Sequence, residues 1–295
     1  MLTIASLVDE YLVDPDSRFL DLSHRVRENN RRYLARIKAE KGEMRTSEIT
    51  PRMLLYWYKN WSRNGQVSSA RVFLSQLRAI FYYGFAYKRD AHCMDLKLAL
   101  DNTKYKAVPE RTSRLTAEHA RAIIEKAHEW GVHSIALAQA FQYELMLKQK
   151  DVIGEYIPTS EFVGQTGVIW KGQSWTAGLR WNEIDEDYIL RHRTCGRERW
   201  IEVDLKQSPV IMTELEYWTD HHEEAPVVIC EATAMPWNAS EYRRKWRLIA
   251  DCAGVPANVK NMDSRAGAKI VNIAGRNYRE FERKRPGQRD HGAPV

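Results

Sequence analysis

Arginines recur along this chain at spacings that could grip a polyanion. Arg25, Arg32 and Arg36 each precede an apolar position (Val26, Tyr33 and Ile37) in a run with helical periodicity. One residue on an α-helix is about 100° of rotation, so these arginines form a stripe beside the apolar face. Arg27, Arg31 and Lys38 widen that stripe. Further on, Arg71 and Arg78 share a face turned away from Leu77 and Ile80, and Arg193, Arg197 and Arg199 cluster around Cys195-Gly196. A guanidinium suits phosphate because it is planar, stays charged and donates two parallel hydrogen bonds. Neutralised phosphates release counterions, which favours binding. Each face taken alone is also what a solvated helix or hairpin turn presents. Arginine is a poor proton donor because its pKa is too high.

Other chemistries lack their parts. The chain has no GxxxxGK[ST] loop, GxGxxG fingerprint, HExxH or GxSxG, which leaves nucleotide hydrolysis, dinucleotide redox, zincin and serine-hydrolase readings unsupported. His221-His222-Glu223-Glu224 are neighbours that point apart on a helix and read as a solvated helix end. Cys93, Cys195, Cys230 and Cys252 are scattered without metal or disulfide spacing and are expected to be reduced thiols. No metal and no cofactor is expected.

At 295 residues the chain is long enough for two domains, and its 44% hydrophobic content suits a folded one. No apolar run approaches the about 18 residues of a membrane span, and the first ten residues lack the features of a signal peptide. A cytoplasmic protein without a membrane partner is the expectation. The net charge of +6 favours a polyanionic partner.

Residues 1–103 read as helical. Helices are expected at 2–13, 17–41, 53–63 and 67–88, with a weaker one at 94–100. The second should bury Leu22, Val26, Tyr33 and Ile37, and the fourth Phe73, Leu77, Ile80, Phe81 and Gly84. Thr50 is an N-cap with Pro51 at the first helical position. Tyr56, Trp57, Tyr58 and Trp61 read as core and domain-interface residues rather than base-stacking platforms. Residues 104–114 look like an exposed basic linker, after which Thr116 caps a helix reaching Trp130-Gly131 and another covers 134–147. Residues 156–205 alternate aromatic and β-branched residues with glycines, and 188–204 read as one β-hairpin turning near Cys195-Gly196. Helices return at 209–220 and 240–252. Residues 276–295, with six Arg/Lys against three acids, are expected to be a disordered basic tail. The fold class is mainly α with a small antiparallel β-sheet.

Two separated segments resemble the tyrosine recombinase, or phage integrase, family. Lys148-Gln-Lys-Asp151 stands in the place of the family's Arg-x-x-Glu/Asp box, and Met262-Asp-Ser-Arg265 in that of its His-x-x-Arg box. Gly178-Leu-Arg-Trp-Asn-Glu-Ile-Asp185 resembles the lead-in to the family's small sheet, and Pro236-Trp237 with the run from Tyr242 resembles the helix before the second box. The resemblance covers residues 1–275. It implies a helical, SAM-like core-binding domain over 1–103, a linker over 104–114 and an α+β catalytic domain over 115–275. It also implies double-stranded DNA held in a C-shaped clamp, self-association as a tetramer on that DNA, and no nucleotide cofactor.

The chemistry implied is phosphoryl transfer. A tyrosine hydroxyl attacks a DNA phosphodiester, two arginines neutralise the transition state, and a hairpin lysine protonates the leaving 5′-oxygen. Carried over residue by residue, Arg265 is the second arginine, Lys148 occupies the place of the first, and Asp151 is the supporting acid. A lysine keeps the charge but loses the fork. Met262 replaces the expected histidine, and the hairpin over residues 189–205 contains no lysine. The last tyrosine, Tyr278, lies thirteen residues after Arg265, short of the family's nucleophile position. A frameshift or truncation is expected to have replaced the nucleophile helix, with Tyr278 or His291 as relocated candidates. The resemblance therefore implies a DNA-binding integrase-like protein of phage or mobile-element origin with impaired cleavage. A working integrase of a divergent branch and a non-catalytic DNA-binding regulator or remnant remain as alternatives.

Overall fold

The computed structural model describes residues 2–162, 167–195, 199–218, 222–265 and 279–281. The chain divides into two units, Met1–Arg111 and Thr112–Val295.

The first unit is helical. Helix α1 (Ile4–Val13) starts from a capping box at Thr3 and Ser6 and stops before Pro15. Helix α2 (His24–Lys41) begins later than periodicity suggests. Residues 17–23 turn instead, with Phe19 fully buried and the Arg27 guanidinium donating to the carbonyls of Leu20 (2.9 Å) and Leu22 (3.0 Å). The helix is also rotated from the expected face. Leu34 and Ile37 are buried, whereas Val26 is 43% exposed. Helix α3 (Pro51–Trp61) is capped by the Thr50 hydroxyl, which accepts from the Met53 amide. It buries Trp57, Tyr58 and Trp61 but leaves Tyr56 59% exposed, which corrects the expectation for that residue.

Helix α4 (Val67–Lys88) is the centre of the unit, with its five expected inward residues buried. Gly84 lets α5 (Ala91–Asn102) approach, since a Cβ there would lie 2.7 Å from Cys93 Sγ. The start of the expected linker belongs to this unit. Tyr105 packs edge-on to Tyr58 at 4.7 Å, and the Tyr58 hydroxyl donates to the Lys106 carbonyl.

In the second unit, α6 (Ala117–Glu129) packs on α7 (His133–Glu144), and α7 is buried from Ser134 to Glu144. A left-handed turn at Met146 (φ 55°) then leads into the short helix α8 (Gln149–Ile153). One hairpin is expected between residues 156 and 205, but two sheets are present. The first, in the order β1-β3-β2, is antiparallel and built from β1 (Glu155–Pro158), β2 (Ile169–Trp170) and β3 (Gln173–Thr176). It is anchored at Gly154, where φ is 72° and a Cβ would lie 2.3 Å from Trp175 Nε1. That indole donates to the Ile153 carbonyl at 2.8 Å.

The second sheet contains the expected hairpin, β4 (Ile189–Arg193) with β5 (Trp200–Asp204). Its edge strand crosses out of the expected disordered tail. A strand at Arg279–Phe281 pairs antiparallel with β5, and the other residues of 276–295 lie outside the described residues. Helix α9 (Pro209–Leu215) stops before residue 220, a two-stranded pair follows at Ile229–Cys230 and Met235–Pro236, and α10 (Ala239–Cys252) closes the core with Tyr242, Trp246 and Ile249. The architecture is mainly helical with small antiparallel sheets.

Candidate phosphate-binding site

Helix α7 sets the position of both sequence boxes. Gln139 and Gln142 sit one turn apart on it, both buried. The Gln142 amide exchanges two hydrogen bonds with Asn261, each 2.9 Å, and its oxygen also accepts from the Tyr242 hydroxyl at 2.9 Å. Gln139 donates to the Ser264 hydroxyl and accepts from the Trp246 indole. Glutamines in an otherwise apolar helix would cost free energy unless bonded. Here they fasten residues 261–264 to α7 and α10. Sequence reasoning missed them, although two glutamines three apart on one face of an apolar helix are a legible signal.

This anchoring places Arg265 beside the end of α7. Its Nε donates to the Met146 carbonyl at 3.0 Å, while the side chain is exposed and forms no ion pair among the described residues. Lys148 lies two residues beyond Met146, at most about 7 Å of chain. Its Nζ donates to the Cys195 carbonyl at 2.7 Å, and its backbone N–H donates to Asp151 Oδ2 at 3.0 Å. The other Asp151 oxygen accepts from the Cys195 amide at 2.6 Å. So the first box is stitched to the β4–β5 turn by its cation and by its carboxylate, and Asp151 is buried in doing so. Burial, then the Asp151 carboxylate, pushes the Cys195 thiol up to about 12.

Lys148, Asp151, Arg265 and the hairpin turn are thus brought together in one unit. Met262, beside Arg265, is 67% exposed and supplies no polar group. Arg193 ends β4 and is exposed, while Arg197 and Tyr278 lie outside the described residues. One lysine not weighed in the sequence does occupy a hairpin turn: Lys171, between β2 and β3, with φ 49°. The register puts Glu155↔Thr176 at the end of that sheet following α8 and Pro158↔Gln173 at the other, next to Lys171. Lys171 is therefore at the far tip, its Nζ 4.4 Å from the Trp170 ring centroid.

The basic face of the first unit is thinner than the sequence suggests. Arg25 and Arg32 are exposed and without ion pairs among the described residues. Arg36 pairs with Glu40 (2.7 Å), Arg31 with Glu28 (2.7 Å), and Lys38 with Asp9 (2.6 Å). Arg71 is exposed and makes one long contact, 3.4 Å, to the Lys106 carbonyl. Arg78 is committed to Asp101 (2.7 Å) and the Leu100 carbonyl (2.6 Å), a tie between α4 and α5. Among the described residues no group of side chains could hold a metal ion, and no helix is long and apolar enough to cross a membrane.

A helical unit followed by this α+β unit, with the two boxes meeting at the end of α7, has the tyrosine recombinase fold. Solved structures similar to it include lambda integrase bound to DNA, with a TM-score of 0.68 at 14% identity over 92% of this chain and 87% of that one. A lambda integrase tetramer bound to a Holliday junction also scores 0.68, at 13% identity, over 92% of this chain and 73% of that one. The Tn1549 transposon integrase in complex with circular intermediate DNA scores 0.58 at 11% identity, covering 94% and 89%. The sequence matches no family model and no curated protein.

Proposed function

We propose that this chain binds double-stranded DNA as an integrase-like protein, with Arg265 and Lys148 gripping a phosphate at the end of α7 and with strand cleavage impaired. The observation carrying this reading is the Arg265 hydrogen bond to Met146, which sets an exposed guanidinium beside the turn that holds Lys148. The three similar solved structures named above are integrases in complex with DNA, one of them a tetramer. By analogy this chain self-associates on DNA, is of mobile-element origin and acts in the cytoplasm.

Arg25, Arg32 and Arg71 are the backbone contacts assigned to the first unit, with Arg193 and Arg197 assigned to the hairpin. Arg78 has a structural role on this reading. Impaired cleavage follows from the chemistry of the site. Lysine grips a phosphate without the fork, Met262 cannot donate a hydrogen bond, and the β4–β5 hairpin offers no lysine as acid.

The test is trapping on a nicked suicide duplex. Retained DNA binding with no covalent adduct is the expected result, and it also fits a regulator that merely occupies sites. An adduct would overturn the impairment, and an adduct persisting in Tyr278→Phe would place the nucleophile elsewhere.

A further inference from the structure

Tyr11, Tyr82, Tyr83 and Tyr87 wall a cavity of about 360 Å³ in the first unit. It lies outside the phosphate site described above. We infer that this cavity binds a nucleotide, a planar base carrying a phosphate.

Three features of the cavity select that ligand. Its volume sits at the small end of the roughly 300–1,000 Å³ typical of ligand pockets, which suits one nucleotide and excludes a duplex. Its walls are phenol rings, a ring type that can stack on planar bases with little regard to sequence; Tyr83 and Tyr87 already stack on each other at 5.2 Å, which leaves Tyr82 as the ring assigned to the base. Its charged groups are all cations: Arg18, Arg78 and Lys97 line it, and no carboxylate does. Asp101, outside the lining, accepts from both Arg78 and Lys97 at 2.7 Å, and Asp14, also outside it, accepts from the Tyr83 hydroxyl, so three lining cations face two flanking carboxylates. Arg18 has no ion pair among the described residues, and its guanidinium lies over the Tyr82 ring, 5.6 Å from the centroid. A base inserted there would meet a ring and a cation already held in contact.

A hydroxyl in the lining adds a donor. Tyr11 is only 6% exposed, yet its hydroxyl has no hydrogen-bond partner among the described residues. The neighbouring hydroxyls are engaged: Tyr83 donates to Asp14 at 2.5 Å and Tyr87 to the Asp16 carbonyl at 2.9 Å. A base nitrogen or phosphate oxygen in the cavity could accept a hydrogen bond from the Tyr11 hydroxyl.

The nucleotide has two possible sources, an unpaired nucleotide extruded from bound DNA or a free mononucleotide. The first rests on the proposed DNA-binding function; the second does not. The full chain is tested by equilibrium dialysis against 2′-deoxyadenosine 5′-monophosphate, deoxyadenosine and inorganic phosphate. In parallel, anisotropy compares a matched duplex with one carrying a single unpaired adenosine. The monophosphate should bind saturably and about tenfold more tightly than phosphate or the nucleoside.

Arg18→Ala and Tyr82→Ala should each weaken it about tenfold, and Tyr11→Phe by a smaller factor. Arg18 and Tyr82 are both exposed, so neither truncation opens the core, and unchanged circular dichroism confirms folding. A preference for the bulged duplex that Arg18→Ala abolishes assigns the ligand to DNA. Monophosphate binding without that preference assigns it to a free nucleotide. Equal binding of phosphate and monophosphate overturns the proposal, as does no monophosphate binding while the matched duplex still binds. Monophosphate binding with no duplex binding supports it and refutes the DNA-binding function instead.

Discussion

Replacing Gln142 by leucine should destabilise the second unit and disarm the proposed phosphate site together. The side chain is 1% exposed and makes three hydrogen bonds, two with Asn261 and one with Tyr242. Leucine fills a similar volume, so the loss is polar rather than a cavity. It strands the Asn261 amide and the Tyr242 hydroxyl inside the protein. Burial holds that hydroxyl far above the usual phenol range, so it stays protonated and still needs an acceptor. An unsatisfied buried group costs about 1–3 kcal/mol, so two cost about 2–6 kcal/mol. Against a typical stability of about 5–15 kcal/mol that is a large fraction. Urea unfolding followed by circular dichroism measures it, with Tyr242→Phe added as the second arm of a double-mutant cycle. Removing the hydroxyl in the Gln142→Leu background should recover about 1 kcal/mol or more. In addition, DNA affinity should fall in the folded variant, because residues 261–264 carry Arg265. A variant within about 0.5 kcal/mol of the parent, with no recovery in the cycle, would refute the network as the anchor of the site.

Three further outcomes are expected. Arg265→Ala should weaken binding to junction DNA more than Arg25→Ala changes sequence preference; Arg25→Ala should lower the slope of log affinity against log salt by about 0.9, and Arg78→Ala, whose guanidinium is held by Asp101, should leave it unchanged. Burial raises the Glu214 carboxyl, opposed by the nearby His128 and His133, so the folded state binds more protons than the unfolded state just above the ordinary carboxyl range. Stability from this group is therefore present below that range and lost as pH rises through the raised value, and urea titrations at successive pH values should show a flatter profile in Glu214→Gln; a steeper one would mean the His128 contact dominates. With its thiol pushed up to about 12, Cys195 should alkylate slowly at neutral pH while exposed Cys252 reacts quickly, as peptide mass spectrometry of an iodoacetamide time course would record.

Local chemistry made much of this molecule readable in one dimension. Thr50 with Pro51, and Thr116, mark helix starts because a cap acts on amides only two or three residues away. The inward residues of α4 follow from a 22-residue helix whose period leaves little freedom about which side is buried. The two boxes were legible as a family resemblance, and the structure brings them together at the end of α7. The sequence alone also determined which of them are absent: no lysine between residues 189 and 205, and methionine at 262.

Only the tertiary structure decided how those pieces are used. Helix α2 starts at His24 and buries Leu34 because Arg27 captures carbonyls in the preceding turn, leaving Val26 in solvent. Arg78 is a tie to Asp101 rather than a free cation, a pairing across 23 residues that no spacing rule reveals. The sheet at residues 155–176 forms because Gly154 can close against Trp175. Asp151 meets Cys195 across 44 residues, and Gln142 meets Asn261 across 119. Caps and helical periods are set by neighbours a few bonds apart, so sequence specifies them directly. The partners of a buried amide or guanidinium are set by which distant segments the hydrophobic core forces together, and that is fixed only when the chain folds.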